Sequence, residues 1–542
     1  MKGSINIKSK ARQSIQITVS GISILLSLLV VLLFLLTLGS AISPMVNKNE
    51  TIQLNNLFST IVYTFKQSII STLLSVILGF IAAYFISNYD FMLKRFLLSL
   101  SSIPLCMPSL IIALGYIATF GINGVLNRIL VKVFNLTESP LTFLYSFWGI
   151  VITQGFYNMP LVMSTISESW SSITKDEEEA ACILGSSRIK TFTSITLYKL
   201  LPSIMSSAIL SFLFCFFSFM IVLLFGTPGG TTLEVAIYHA GKSTLKTKNA
   251  ALLSLIETLC ALITVLLYSL VEQKSKRSKG KSFNNITKRK NKITKQSLPF
   301  FIIFILIIIT FLLVPLFSII VLSFTKSSTV SSSFTLNIWI KLFKNKGFIK
   351  SLFNTLYTGL LSSALSTLIA LTVSILYAFL PAKNSLLKTL PMLPMAVSSV
   401  VLGIGITYFI KSPTILSLIL CQSFMYWPFA FRQISPSLDT IRKSTIDSSL
   451  ILSKYKTDIV FNIMIPEVKK NILSSFGFCF ALSAGDSTIP LLLSLRNFDT
   501  LSLFTYRLAS SYKTNMSCAS GLILSLLCMT VFLISSKFKE KK

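Results

Sequence analysis

The sequence predicts an all-α polytopic membrane protein with about 12 transmembrane helices in two pseudo-symmetric six-helix halves. Three observations lead there. Of 542 residues, 53% are apolar and only 12% charged, too little charge to cover a water-soluble chain of this size. Apolar runs close to the ~20 residues that cross a bilayer as helix recur along the chain. A 49-residue block, Gln154–Pro202, returns without a gap as Gln422–Lys470, 268 positions later. A duplicated membrane chain places a pathway between its halves.

The expected spans are 16–43, 61–87, 96–120, 143–166, 203–226 and 250–271, then 298–325, 352–380, 389–410, 413–431, 471–495 and 518–536. The first is too long for a removable signal peptide and lacks a small-residue cleavage site. Between the two sets lies a polar, basic stretch without apolar periodicity, residues 272–296. It reads as a flexible connector between a first transmembrane domain (1–271) and a second (297–542). The repeat extends outside the block more weakly. Pro104–Gly115 is similar to Pro394–Gly405, and Ser71–Tyr84 to Ala364–Tyr377.

Basic residues set the orientation. Lys2, Lys8, Lys10 and Arg12 stand in an amino-terminal tail without acids. Ten basic residues fall within Lys274–Lys295 and four within Lys537–Lys542. With twelve spans these segments, both termini and both repeated polar blocks share one side, which the positive-inside bias makes cytoplasmic. Lys326, Lys341, Lys344, Lys346 and Lys350 oppose the trend from the outer side. The net charge of +31 is spread over short loops, which fits attraction to anionic lipid and excludes a nucleic-acid face. The eight cysteines show no paired spacing and sit mostly in apolar runs, so they read as small core residues and not as metal ligands or disulfides.

The first copy of the block reads as two short helices on the cytoplasmic surface. Thr174–Glu177 fits a capping box, the run of acids from Asp176 to Glu179 favours a helix amino terminus, and Ala180 and Ala181 give a small face. Gly185 ends the helix through a left-handed backbone. A second helix runs through Ile195 to Pro202. Two such helices bent on each other make a knob that another protein can grip.

Glu179-Ala180-Ala181, Gly185, Ile195 and Leu197 at this spacing resemble the EAA loop of ABC importer permeases. In that family the loop forms the coupling helices that dock on the ATP-binding subunits. The family pattern closes on Leu-Pro, and here Tyr198 holds the proline position. The second copy is degenerate. Asp447, Ser448, Ser449 and Ser453 replace Glu, Ala, Ala and Gly, while Ile463 and Pro466 match. The EAA-like loops are thus 175–202 and 443–470, with Glu179, Ala180, Ala181, Gly185, Asp447, Ser453 and Pro466 as ATPase-coupling residues. The resemblance implies the type I importer fold, two copies of an ATPase subunit, an extracytoplasmic solute-binding protein and a bacterial cytoplasmic (inner) membrane. An ion-coupled carrier or channel of six plus six spans is the rival class, but it couples through intramembrane charge, which is sparse here.

Gly241-Lys242-Ser243-Thr244 imitates the end of a phosphate-binding loop, yet Ala236 stands where that motif needs glycine. The chain is therefore expected to bind no nucleotide, to be no enzyme and to need no cofactor or metal. His239, the only histidine, reads as a loop residue. Two acids fall within apolar runs: Asp486, whose repeat partner is Ser218, and Glu257, read as structural. Asp486, Ser218, Gln154 and Gln422 are the candidates for lining the translocation path, the two glutamines alternatively tying helices together. Fused double permeases of this kind are similar to the thiamine and ferric-iron branches. Residues 231–238 and Ala484-Gly485-Asp486 resemble the thiamine branch, while Leu491–Leu493 and Phe498–Leu501 resemble the iron branch. Thiamine is the expected cargo, with ferric iron or another small solute as the alternative.

Overall fold

The computed structural model describes residues 54–91, 107–171, 173, 175–226, 230–243, 247–279, 298–327, 332–378, 390–410, 412–441 and 456–540, with isolated positions 39, 94, 97, 445, 448 and 449. Apart from Gly39, the expected span 16–43 lies outside them, as does most of the 272–296 connector, into which the helix Thr247–Lys279 runs. The other expected spans all contain helix. Among the described residues, eight helices are long and apolar enough to cross a membrane, nine if a bent pair counts as one span. The remaining runs form broken helices or more polar ones that lie inside the protein. The exception to the all-α architecture is a short antiparallel ribbon, Thr325–Ser327 with Ser332–Phe334, in register Thr325 to Phe334.

The duplication is carried into the helices residue by residue. Phe147–Ser171 is repeated as Ile415–Asp439, both ends shifted by 268. The π-helical turn Phe192–Thr196 is repeated as Val460–Met464, and Leu197–Phe216 as Ile465–Gly485. Met220–Phe225 is repeated as Thr488–Leu493, and each ends on a positive-φ residue, Gly226 at 60° and Ser494 at 45°. Hydrogen bonds between helices follow the same rule. Thr64 Oγ1 accepts from Leu233 N at 2.9 Å, and Thr355 Oγ1 from Leu501 N at 2.6 Å. Ser75 Oγ donates to Gly155 O at 3.0 Å, and Ser366 Oγ to Ser423 O at 3.3 Å. These pairs align the first described helix, Leu54–Asn88, with Lys346–Ala378 at an offset of 291. The likeness of Ser71 to Ala364 suggested 293. The serine- and threonine-rich faces of these helices look alike when slid by two, and only the cross-helix bonds fix the register.

Each half lends a helix to the other. Ser109–Phe120 of the first half packs on Val314–Ser323 and Thr514–Glu540 of the second. The second half's turn Leu390–Ala396 and helix Ser399–Phe409 pack on Thr247–Lys279 and Leu233–Tyr238 of the first. Large side chains face outward where lipid would lie, such as Leu259, Ile263, Leu266 and Leu270 on one helix, at the three- and four-residue spacing of a single stripe. Hydroxyls and amides instead fill the interior, where helix neighbours satisfy them.

Three apolar runs are broken. Residues 203–226 break at Phe217 (φ −90°, ψ 26°), 471–495 break at Asp486, and 389–410 bend by 86°. Irregular backbone at membrane depth is tolerated only when buried in protein or lining a cavity, and the first two breaks adjoin the cavity described next.

Candidate translocation cavity and coupling loop

A cavity with about 1110 Å³ of empty space, including the part open to solvent, lies between the halves. Its wall is built in matched pairs. Asn158 and Tyr426, Leu161 and Phe429, and Ser218 and Asp486 each stand 268 residues apart, and all six line it. The cavity therefore sits on the pseudo-twofold axis that relates the halves, where a path between duplicated domains runs.

The four path candidates divide. Asp486, Ser218 and Gln154 line the cavity. Gln422 is not in its wall but stands behind it. Its Oε1 accepts from Ser362 Oγ at 3.1 Å and Ser483 Oγ at 2.7 Å, and its Nε2 donates to Ser483 O at 3.1 Å. Gln422 thus ties three helices together. Gln154 is also tethered, its Oε1 accepting from Gln67 Nε2. The pair shares a register position but not an environment.

Asp486 follows the carboxyl end of Ile465–Gly485, and its Oδ1 accepts from the backbone N–H of Thr488 at 2.9 Å and of Ile489 at 3.5 Å. That caps the short helix Thr488–Leu493 and holds one carboxylate oxygen. The other, Oδ2, is buried without a hydrogen-bond partner. At the far end of the same helix Lys242 Nζ donates to Leu492 O at 2.6 Å and to Ser494 Oγ at 2.7 Å. The glycine-lysine segment that imitates a phosphate loop is therefore a tie from the first half to the second. Gly241 lets it lie close, since a Cβ there would stand 2.9 Å from Ile404 Cδ1. Partial burial pushes the Lys242 ammonium pKa down from its usual value. Glu257 is fully buried with Glu234 as its neighbour, and burial, then the Glu257 charge, pushes the Glu234 carboxyl pKa well up.

The coupling loop is a built knob. The helix Lys175–Ile183 ends at Gly185, whose φ is +85°. Gly185 N donates to Cys182 O and Ser186 N to Ala181 O, both at 3.0 Å, the double closure of a glycine-ended helix. Ser187 then starts Arg188–Thr191, its hydroxyl accepting from Lys190 N at 3.3 Å. Thr196 Oγ1 donates to Glu178 Oε1 at 2.6 Å, and Lys199 pairs with Glu177, so two acids fasten the knob to the next span. Glu179 and Ala180 are exposed and Ala181 partly so. Thr174, of the expected capping box, lies outside the described residues. The tip carries bare apolar side chains: Ile183 and Leu184 are 85% and 86% exposed, and Ile189 78%. Of the second loop, Asp447 and Ser453 lie outside the described residues. Pro466 sits in the first turn of Ile465–Gly485, where a missing N–H costs nothing.

Sequence reasoning met Lys242 only as part of a false phosphate-loop motif and did not single out Tyr426, Phe429 or the apolar tip. Pairing positions at the 268 offset around Ser218 and Asp486 would have found Tyr426 and Phe429. The tip shows only once the helix end is placed.

Two helical bundles that exchange helices, share a central cavity and carry a folded knob define a polytopic membrane permease with both transmembrane domains in one chain. Residues 75–277 match the family model of the binding-protein-dependent transport system inner membrane component. The chain is similar to the thiamine transport system permease protein ThiP of Haemophilus influenzae, 26% identical over 89% of this chain and 88% of that protein. It is similar to ThiP of Escherichia coli K12, 25% identical over 89% of both. A shorter likeness, 30% identical over 28% of this chain and 53% of the other, joins it to a probable sulfate transport system permease protein of Helicosporidium. The chain is a fused double-permease component of an ABC importer.

Proposed function

We propose that this permease imports thiamine, driven by ATP hydrolysed on two copies of a separate ATPase subunit and supplied by an extracytoplasmic solute-binding protein. The observation that carries the cargo is end-to-end likeness to thiamine permeases in both halves, covering 88–89% of both chains. The half-length likeness to a sulfate permease reflects the shared domain. The coupling role rests on the knob. Ile183, Leu184 and Ile189 form an apolar tip at the end of a polar loop, a surface a partner groove would cover. Glu179, Ala180, Ala181 and Gly185 shape it, and Asp447, Ser453 and Pro466 are the counterparts in the second domain. The chain lies in the bacterial cytoplasmic membrane with both termini and both knobs inside, as two domains (1–271 and 297–542) joined by 272–296.

The two halves rock between inward- and outward-open states, and ligands bias these through differential affinity. ATP-driven closure of the ATPases moves both knobs and opens the cavity outward. Uptake of labelled thiamine and labelled ferric iron, compared in cells with and without this gene, tests the cargo. Loss of thiamine uptake alone is the expected result; loss of iron uptake alone overturns it.

A further inference from the structure

The duplication supplies a built-in comparison for the cavity wall. Where the first half presents Asn158, Leu161 and Ser218, the second presents Tyr426, Phe429 and Asp486. At these three positions the second half carries an aromatic ring or a negative charge that the first half lacks, whereas at Phe214/Leu482 and Phe217/Gly485, also in the wall, the first half carries the ring. Phe214, also in the lining, stacks across the interface on Phe429 at 6.2 Å and 17°, and Phe478 meets Phe429 edge-on at 6.2 Å. Asp486 completes this wall. One of its oxygens is spent on the helix it caps, and the other is buried in the wall near Tyr426 and Gln422.

Aromatic faces beside a carboxylate suit a large, weakly hydrated cation. They do not suit a small hard cation, which demands several oxygen ligands, and among the described residues no group of three His, Cys, Asp or Glu could hold a metal ion. We propose that this wall between the halves is a recognition site within the permease itself for an aromatic organic monocation, Asp486 supplying the counter-charge and Tyr426 and Phe429 of the second half, with Phe214 of the first, the aromatic surface. The permease thus applies its own charge filter after the binding protein has released its cargo. The proposal deepens, and rests on, the reading of this chain as an importer of a cationic heteroaromatic solute.

The test is direct binding to the purified full chain in lipid nanodiscs, without the binding protein. The probes are thiamine, benzyltrimethylammonium as an unrelated aromatic cation, and thiochrome as a neutral relative of thiamine. Asp486→Asn keeps the helix cap and removes the charge, so folding, checked by gel filtration and thermal melting, should be preserved. Both cations are expected to bind saturably, to weaken by about tenfold or more in Asp486→Asn, and to recover in Asp486→Glu. Phe429→Leu weakens both by several-fold, and Asp486→Asn leaves thiochrome unchanged. Binding of benzyltrimethylammonium but not thiamine, still dependent on Asp486, would sustain the cation site and remove thiamine as cargo. Cation binding indifferent to Asp486→Asn and Phe429→Leu, thiochrome binding as tight as thiamine, or no cation binding while cells still import thiamine would overturn the site and leave the cargo intact.

Discussion

Replacing Gly185 by valine tests the knob at the point where backbone geometry alone decides the outcome. Its φ of +85° lies in the left-handed region, and no atom lies within 4 Å of where a Cβ would stand. The substitution therefore meets no steric clash, and the cost is conformational: about 1–2 kcal/mol for an L-residue, with a β-branched side chain at the upper end. That shifts the balance between the closed and frayed helix end by about 5- to 30-fold. The two closing hydrogen bonds, from Gly185 N to Cys182 O and Ser186 N to Ala181 O, are lost together, and the Ile183–Leu184 tip swings out of position. The loop is solvent-exposed, so the transmembrane core is untouched. Membrane insertion and melting temperature should match the wild type, while ATP-driven thiamine uptake should fall by about tenfold. Gly185→Asn, which tolerates this conformation better, should fall between. Uptake is measured in cells with the permease quantified in the membrane fraction. A well-inserted Gly185→Val permease with wild-type uptake would refute the reasoning.

Three further outcomes are expected. Ile183→Ser with Leu184→Ser should leave stability within about 0.5 kcal/mol, both side chains being exposed, yet abolish co-purification with the ATPase; retained co-purification would remove the tip from the interface. Lys242→Met should break the tie to Leu492 O and Ser494 and broaden the distance distribution between spin labels at 240 and 495; an unchanged distribution would show that the tie does not hold the halves. Gln422→Leu should lower stability by about 1–2 kcal/mol, the sum of three modest interhelical hydrogen bonds, seen as a lower melting temperature; an unchanged melt would contradict its structural role.

Much of the architecture was legible in the chain. The 268-residue offset read from the polar block extends through helix ends, π-helical turns and the positive-φ stops at Gly226 and Ser494, because each is set by local sequence in its own copy. The breaks at Phe217 and Asp486 were not legible as breaks. Hydropathy runs smoothly across Phe217, and Gly485-Asp486-Ser487 dips within an otherwise apolar run without showing that the helix ends there; a chain can leave the helix at such depth only because neighbouring helices satisfy its backbone, which is a tertiary fact. The same holds for the cavity. Ser218 and Asp486 could be paired by arithmetic, but Gln154 and Gln422, paired the same way, part company because Ser362 and Ser483 hold only the second one. Lys242 was hidden by a motif whose chemistry it does not share. Its role depends on a helix end 250 residues away in sequence.

The central claim is that the chain is a passive pathway powered from outside itself. Proteoliposomes reconstituted with this chain, its ATPase and its binding protein should take up labelled thiamine only when all three and ATP are present. Uptake by the chain alone, driven by an ion gradient and indifferent to ATP, would contradict it.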